Sequence, residues 1–131
     1  AATNLKIPTQ LQGINLIPAM NNLDAKVKKY AVSQYRRNSK MRTFGYSIRN
    51  DRYRLTLWMK DFYRLYEPFD ESYIVAAELY DYKKDPLETE NFYDDKRYAE
   101  VRNEMLAGFK EFALQQNIEL KTSKANKQIK Q

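Results

Sequence analysis

Between residues 43 and 59 the chain alternates. Phe44, Tyr46 and Ile48, then Tyr53, Leu55 and Leu57, are apolar, and the positions between them are mostly polar or small. A period of two over two short runs predicts two strands, because successive strand side chains point to opposite faces. Asn50-Asp51 is a turn dipeptide between them. A two-residue turn there would pair Ile48 with Tyr53, Tyr46 with Leu55 and Phe44 with Leu57 on one face. The other face would pair Ser47 with Arg54, Gly45 with Thr56 and Thr43 with Trp58. A slip of one residue would mix the two sets. The hairpin is therefore expected to have one dry face and one polar face bearing arginine and Trp58.

The remaining elements follow from the same test. Residues 28–37, "KKYAVSQYRR", place Tyr30, Val32 and Gln34 on one face and Ala31, Ser33 and Tyr35 on the other, a further strand. Residues 74–82 supply another. Residues 60–72 carry aromatics without a period and contain Pro68; they read as a long loop of the kind that tends to be functional. In "DPLETEN", Pro86 fixes its own φ and biases Asp85 away from helix, so this is a turn. From 94 to 116 the period becomes helical: Tyr98, Val101, Met105, Phe109 and Phe112 form one stripe, with Asp94 or Asp95 as N-cap. Gly108 inside that helix costs ~1 kcal/mol against alanine and marks close packing. Three to four strands followed by one helix predict an α+β fold, a small antiparallel sheet packed against one long C-terminal amphipathic helix. Ahead of it, residues 1–25 form an irregular lead-in whose apolar Leu11, Ile14, Leu16, Ile17 and Met20 have no clean period and are expected to dock on another domain.

Composition narrows the partners. The 131 residues make one domain, and 43% hydrophobic with 14% aromatic residues is too rich for a disordered chain. The net charge of +6 suggests nucleic acid, but Lys121, Lys124, Lys127 and Lys130 lie in a terminal stretch without acids, and the rest is close to neutral. Residues 119–131 are expected to be a flexible Lys-rich tail, leaving residues 26–118 as the folded unit. With no cysteine there is no disulfide framework or thiolate metal site; with no histidine the commonest general base and metal ligand is missing. No apolar run approaches a membrane span and no signal peptide opens the chain, whose start, "AATNLKIPTQ", reads as a chain already in progress.

Four segments carry a resemblance. "ELYDYKKDPLETEN", residues 78–91, resembles the segment near the C-terminus of type I sulfatases written E-L-Y-D, then D-P-x-E-x-x-N, then an amphipathic helix; Glu78, Leu79, Tyr80, Asp81, Asp85, Pro86, Glu88 and Asn91 match. "LQGINLIPAM" is similar to the family's L-x-G-x-S-L-x-P-L-L, with Asn15 in place of serine. "SQYRR" and "GYSIRNDRYRLTLW" resemble the iduronate-2-sulfatase and choline-sulfatase branch, where S-Q-Y-P-R precedes G-Y-S-I-R-T-x-x-Y-R-Y-T-x-W; Arg36 replaces the proline and Leu55 a tyrosine. The order is kept from about Leu11 to Phe112.

The resemblance implies a C-terminal sulfatase subdomain, inert alone. A sulfatase nucleophile arises from C/S-x-P-x-R, matured to formylglycine, and calcium and sulfate are held by further residues; this chain has no such motif. Those parts are expected in an N-terminal catalytic α/β domain of the same polypeptide, the implied partner, with formylglycine and calcium as its cofactors and none here. Hydrolysis of a sulfate ester needs an activated nucleophile, a cation and an acid for the leaving oxygen. Asp81 with Asp85, or Asp94 with Asp95, lacks the rhythm of a calcium loop and is expected to serve turns and caps. For the cleft of a sulfated sugar or other sulfate ester, the candidate residues are Arg37, matching the arginine of S-Q-Y-P-R, with Gln34 and Tyr35 beside it. Trp58 and the aromatic loop between Tyr63 and Tyr73 are candidates for sugar stacking. The competing role for Arg37 is an ion pair across the domain interface, and for Trp58 interface packing; Arg49, Arg52 and Arg54 are expected to solvate the hairpin or pair with acids of the larger domain. The family implies a periplasmic or secreted location, or a lysosomal one. A stand-alone carbohydrate-binding or nucleic-acid-binding α+β module is the alternative, though no RNP-like motif is present.

Overall fold

The computed structural model describes residues 13–37, 42–60, 63–64 and 68–128, the last eleven as helix backbone alone. In chain order come a short helix α1 (Ile17–Asn21), strands β1 (Ala31–Arg36), β2 (Phe44–Arg49), β3 (Tyr53–Met59) and β4 (Ile74–Asp81), and the long helix α2 (Ala99–Gln128). Single 3-10 turns, Glu71–Tyr73 and Lys96–Tyr98, lead into β4 and α2. The four strands pair antiparallel in the order β1-β2-β3-β4, an up-and-down meander. One helix on one face of such a sheet is the expected α+β arrangement.

The alternation of β2 and β3 places Phe44, Tyr46, Ile48, Leu55, Leu57 and Met59 under α2, joined by Leu79 of β4; all are buried. From the helix, Met105, Phe109 and Ala113 fill the space above them. Tyr46 meets Phe109 at 5.9 Å between ring centres and donates its hydroxyl to the carbonyl of Tyr63 at 2.7 Å, so the ring packs dry and the polar tip is satisfied. Asp95 caps the entry to the helix, its carboxylate accepting from the Arg97 amide. Gly108 is needed for close approach: a Cβ there would lie 2.6 Å from Cε2 of Tyr30. The periodicity predicts helix to residue 116, and the helix backbone continues to Gln128.

The hairpin register differs from the one drawn above. The observed pairs are Phe44 with Met59, Tyr46 with Leu57, Ile48 with Leu55 and Arg49 with Arg54. Asn50 therefore precedes the turn, whose centre is Asp51-Arg52. The cause is the Asn50 side chain, whose Oδ1 accepts from the Arg52 amide at 2.9 Å and the Tyr53 amide at 2.7 Å. That contact makes Asn50 the first residue of the turn, through an Asx-type hydrogen bond. A primed turn would need positive φ at its centre, and among the described residues only Arg42 and Glu88 have it. Because the partner of each residue moves by two places, the faces stay sorted.

Candidate functional site

On the face of the sheet away from α2, register brings Tyr35, Gly45, Trp58 and Ala76 into one row across all four strands. Arg37 follows Tyr35 on the same face by alternation, its amide donating to the Thr43 carbonyl at 3.1 Å. The Trp58 indole lies along this row. Its six-membered ring covers Gly45, where a Cβ would stand 2.7 Å from Cζ3, and its Nε1 points the other way, donating to Oε1 of Glu78 at 2.9 Å. The Arg37 guanidinium rests 4.5 Å from the indole centre, a cation–π geometry. Arg37 is exposed, and no carboxylate among the described residues lies within ion-pair distance of it.

Three of the four residues singled out from the sequence thus share one surface: Tyr35, 67% exposed, with Arg37 and Trp58. Gln34 does not. It pairs with Tyr46 and stands on the helix side of β1. Part of the loop at residues 60–72 lies outside the described residues. Within it, Tyr63 is fully buried, 6.0 Å from the Tyr46 ring and 5.5 Å from that of Tyr73, so it belongs to the core and offers no sugar platform. Gly45 and Glu78 had no place among the candidates. A glycine inside an alternating strand is itself a signal of close approach, and Gly45 is such a glycine.

Residues 78–91 are occupied with holding themselves. Asp81 is fully buried and accepts from Arg52 Nε at 2.8 Å and Nη2 at 2.7 Å, from the Tyr98 hydroxyl at 3.1 Å and from the Lys83 amide at 3.1 Å. The Arg52 guanidinium is the main reason its carboxyl titrates down at about 2. Asp85 accepts from the Glu90 amide at 2.8 Å and the Thr89 hydroxyl at 3.2 Å; these loop donors, led by the Glu90 amide, lower its pKa. Glu88, at φ 56, takes Arg54 and the Tyr82 hydroxyl. Asn91 clips the loop to β4, its Oδ1 accepting from the Leu79 amide at 2.9 Å and its Nδ2 donating to the Ala77 carbonyl at 3.1 Å.

Two expectations change here. Arg52 and Arg54 find their acids, Asp81 and Glu88, within the chain, and Arg49 stacks on Tyr82 at 4.2 Å. The polar face is not bare: Thr43 and Thr56 on it are buried. Asp81 spends both carboxylate oxygens on these donors and Asp85 its Oδ2, and Asp95 spends its own on Arg97, which holds it down at about 2. Such oxygens do not fit a calcium ion, and among the described residues no three acidic side chains converge. No helix among them is long and apolar enough to cross a membrane. What the outer face can do chemically is present a cation on an aromatic platform, suited to an anion.

The family described as "N-sulphoglucosamine sulphohydrolase, C-terminal" matches residues 1–115. Among solved structures, a putative sulfatase from Bacteroides thetaiotaomicron is similar, with a TM-score of 0.64, 26% identity, and coverage of 85% of this chain and 22% of that one. A second, solved in complex with its substrate D-glucosamine-2-N,6-O-disulfate, gives a TM-score of 0.61 and 25% identity over 86% of this chain and 21% of its own. The chain thus spans about a fifth of the length of the structures it matches. No curated protein matches.

Proposed function

This chain belongs to the N-sulphoglucosamine sulphohydrolase C-terminal family, and from that premise we propose that it walls the substrate cleft of a sulfuric ester hydrolase, its outer face meeting the anionic substrate. The observation that carries this reading is the Arg37 guanidinium lying on Trp58, exposed and without a carboxylate partner among the described residues. A cation held on an aromatic ring keeps its donors for an incoming anion, whereas one paired with Asp or Glu does not. The substrate is a sulfated sugar, the class to which the second neighbour's bound substrate belongs. The finer kinship is with the iduronate-2-sulfatase branch, on "SQYRR" and "GYSIRNDRYRLTLW".

The chemistry divides accordingly. The nucleophile, as formylglycine, and calcium are supplied by a catalytic α/β domain of the same polypeptide; this chain has no C/S-x-P-x-R motif, and among its described residues no three acidic side chains converge. The residues here bind and orient: Arg37 takes a sulfate or carboxylate oxygen, Trp58 supports it, and Tyr35 lines the approach. In the enzyme with both domains, Arg37→Ala lowers kcat/KM by about tenfold or more, the scale of a charged hydrogen bond. Its melting temperature stays within about 2 °C of wild type. A fall in stability with unchanged kinetics would make Arg37 an interface residue and overturn the reading.

A further inference from the structure

Glu78 on β4 and Arg37 just past the end of β1 have two strands between them, yet the two are joined by a single rigid body. The Trp58 indole is gripped at both ends. At one, Nε1 donates to Glu78 at 2.9 Å; at the other, the six-membered ring presses on Gly45, so closely that no Cβ would fit. Arg37 lies on the plane so fixed, 4.5 Å from its centre. Glu78 is itself held, its second oxygen accepting from the Tyr80 hydroxyl at 3.3 Å, and Tyr80 sits 5.2 Å under the Arg54 guanidinium. A tryptophan on a sheet face has two χ angles to settle, and a hydrogen bond at its one polar atom selects between ring flips that packing alone leaves close in energy.

We infer that Glu78 is a positioning residue: by anchoring Trp58 flat over Gly45 it sets where the Arg37 guanidinium stands, and so the geometry of anion recognition on this face. The inference rests on the proposed function for its consequence in catalysis, but the coupling itself is a property of the fold. Gly45 is the second half of the device, since any side chain there would lift the ring from the sheet.

The chain holds a single tryptophan, so its indole N–H gives one resonance in a nitrogen-15 spectrum. In this 131-residue chain, Glu78→Ala shifts and broadens that resonance and speeds its exchange with water. The Arg37 side-chain protons, shielded by the ring beneath them, move toward their free positions. Glu78→Gln keeps an acceptor oxygen and restores both signals. Should Glu78→Ala unfold the chain, Trp58→Phe, which keeps a platform but lacks the donor, must release Arg37 in the same way. Arg37 protons that stay shielded when Glu78 or the indole donor is removed would overturn the inference. In the two-domain enzyme, Glu78→Ala raises KM about three- to tenfold with kcat kept, and adds little to Arg37→Ala. If the Arg37 shifts respond while neither variant changes KM, the positioning stands and the cleft assignment of Arg37 fails.

Discussion

Asp81 is the one fully buried carboxylate of the described fold, and its replacement by asparagine tests whether Arg52 and Tyr98 are held by charge. The carboxyl is lowered from its ordinary 3.8 to about 2, first by the Arg52 guanidinium and against the opposing effect of burial. At 1.36 kcal/mol per factor of ten in proton affinity this corresponds to about 2 kcal/mol of stabilisation by the ionised form. Arg52 is 47% exposed, so solvent screening reduces that figure. Asp81→Asn is thus expected to cost ~1–2 kcal/mol near pH 7, with an amide donor also turned toward the guanidinium. A depressed pKa contributes stability that is present above the ordinary value and lost as pH falls through the folded one. The wild type loses this contribution between about pH 4 and about pH 2, and the variant, having no proton to bind there, does not. Urea melts followed by far-ultraviolet circular dichroism at a series of pH values give the difference between the two proteins. It should shrink toward zero on acidification; Asp95 and Asp85 titrate in both and cancel. A difference that stays constant from about pH 7 to about pH 2.5 would show that the asparagine acts through packing, and the charge argument would be refuted.

Gly108→Ala should lower stability by ~1 kcal/mol, overpacking against Tyr30 outweighing the helix propensity gained, and in a Tyr30→Ala background the same change should stabilise; thermal melts of the four proteins decide it, and a stabilised single variant would refute the contact. Asn91→Ala should leave the core intact but raise amide exchange at Leu79, whose N–H loses its acceptor, while the Leu55 amide in β3 keeps its protection; uniform acceleration at both would mean that the loop clip supports the whole sheet.

Much of the architecture was legible because burial imposes a period. The strands at Phe44–Arg49 and Tyr53–Met59 and the stripe through Met105 and Phe109 could be read from spacing alone. The turn could not. Asn50-Asp51 and Asp51-Arg52 sort the faces identically, and what separates them is a side-chain contact of Asn50 with two amides, which no alternation records. The polar face was legible as polar but not as occupied, since the pairing of Arg54 with Glu88 depends on how the loop after β4 folds back. Tyr35, Arg37 and Trp58 came together as their shared parity required, and Gln34, one residue out of phase, fell on the opposite side. Glu78 was visible only as a letter of a motif; its grip on Trp58 comes from a diagonal between β3 and β4.

The loop that folds back over β4 also decides how this sheet meets other chains. The outward carbonyls of Ala77 and Leu79 and the outward amide of Leu79 are taken by Asn91 and Phe92, and the Asp81 carbonyl by the Lys84 and Asp85 amides. From the Ala77 carbonyl to the Leu79 carbonyl that flank has no outward backbone group left to template a foreign strand, which is the hazard every sheet margin carries. The D-P-x-E-x-x-N segment therefore works as a guard against aggregation as well as a turn. A variant that loosens it should be lost from a cell to insoluble pairing before its folding equilibrium is much disturbed.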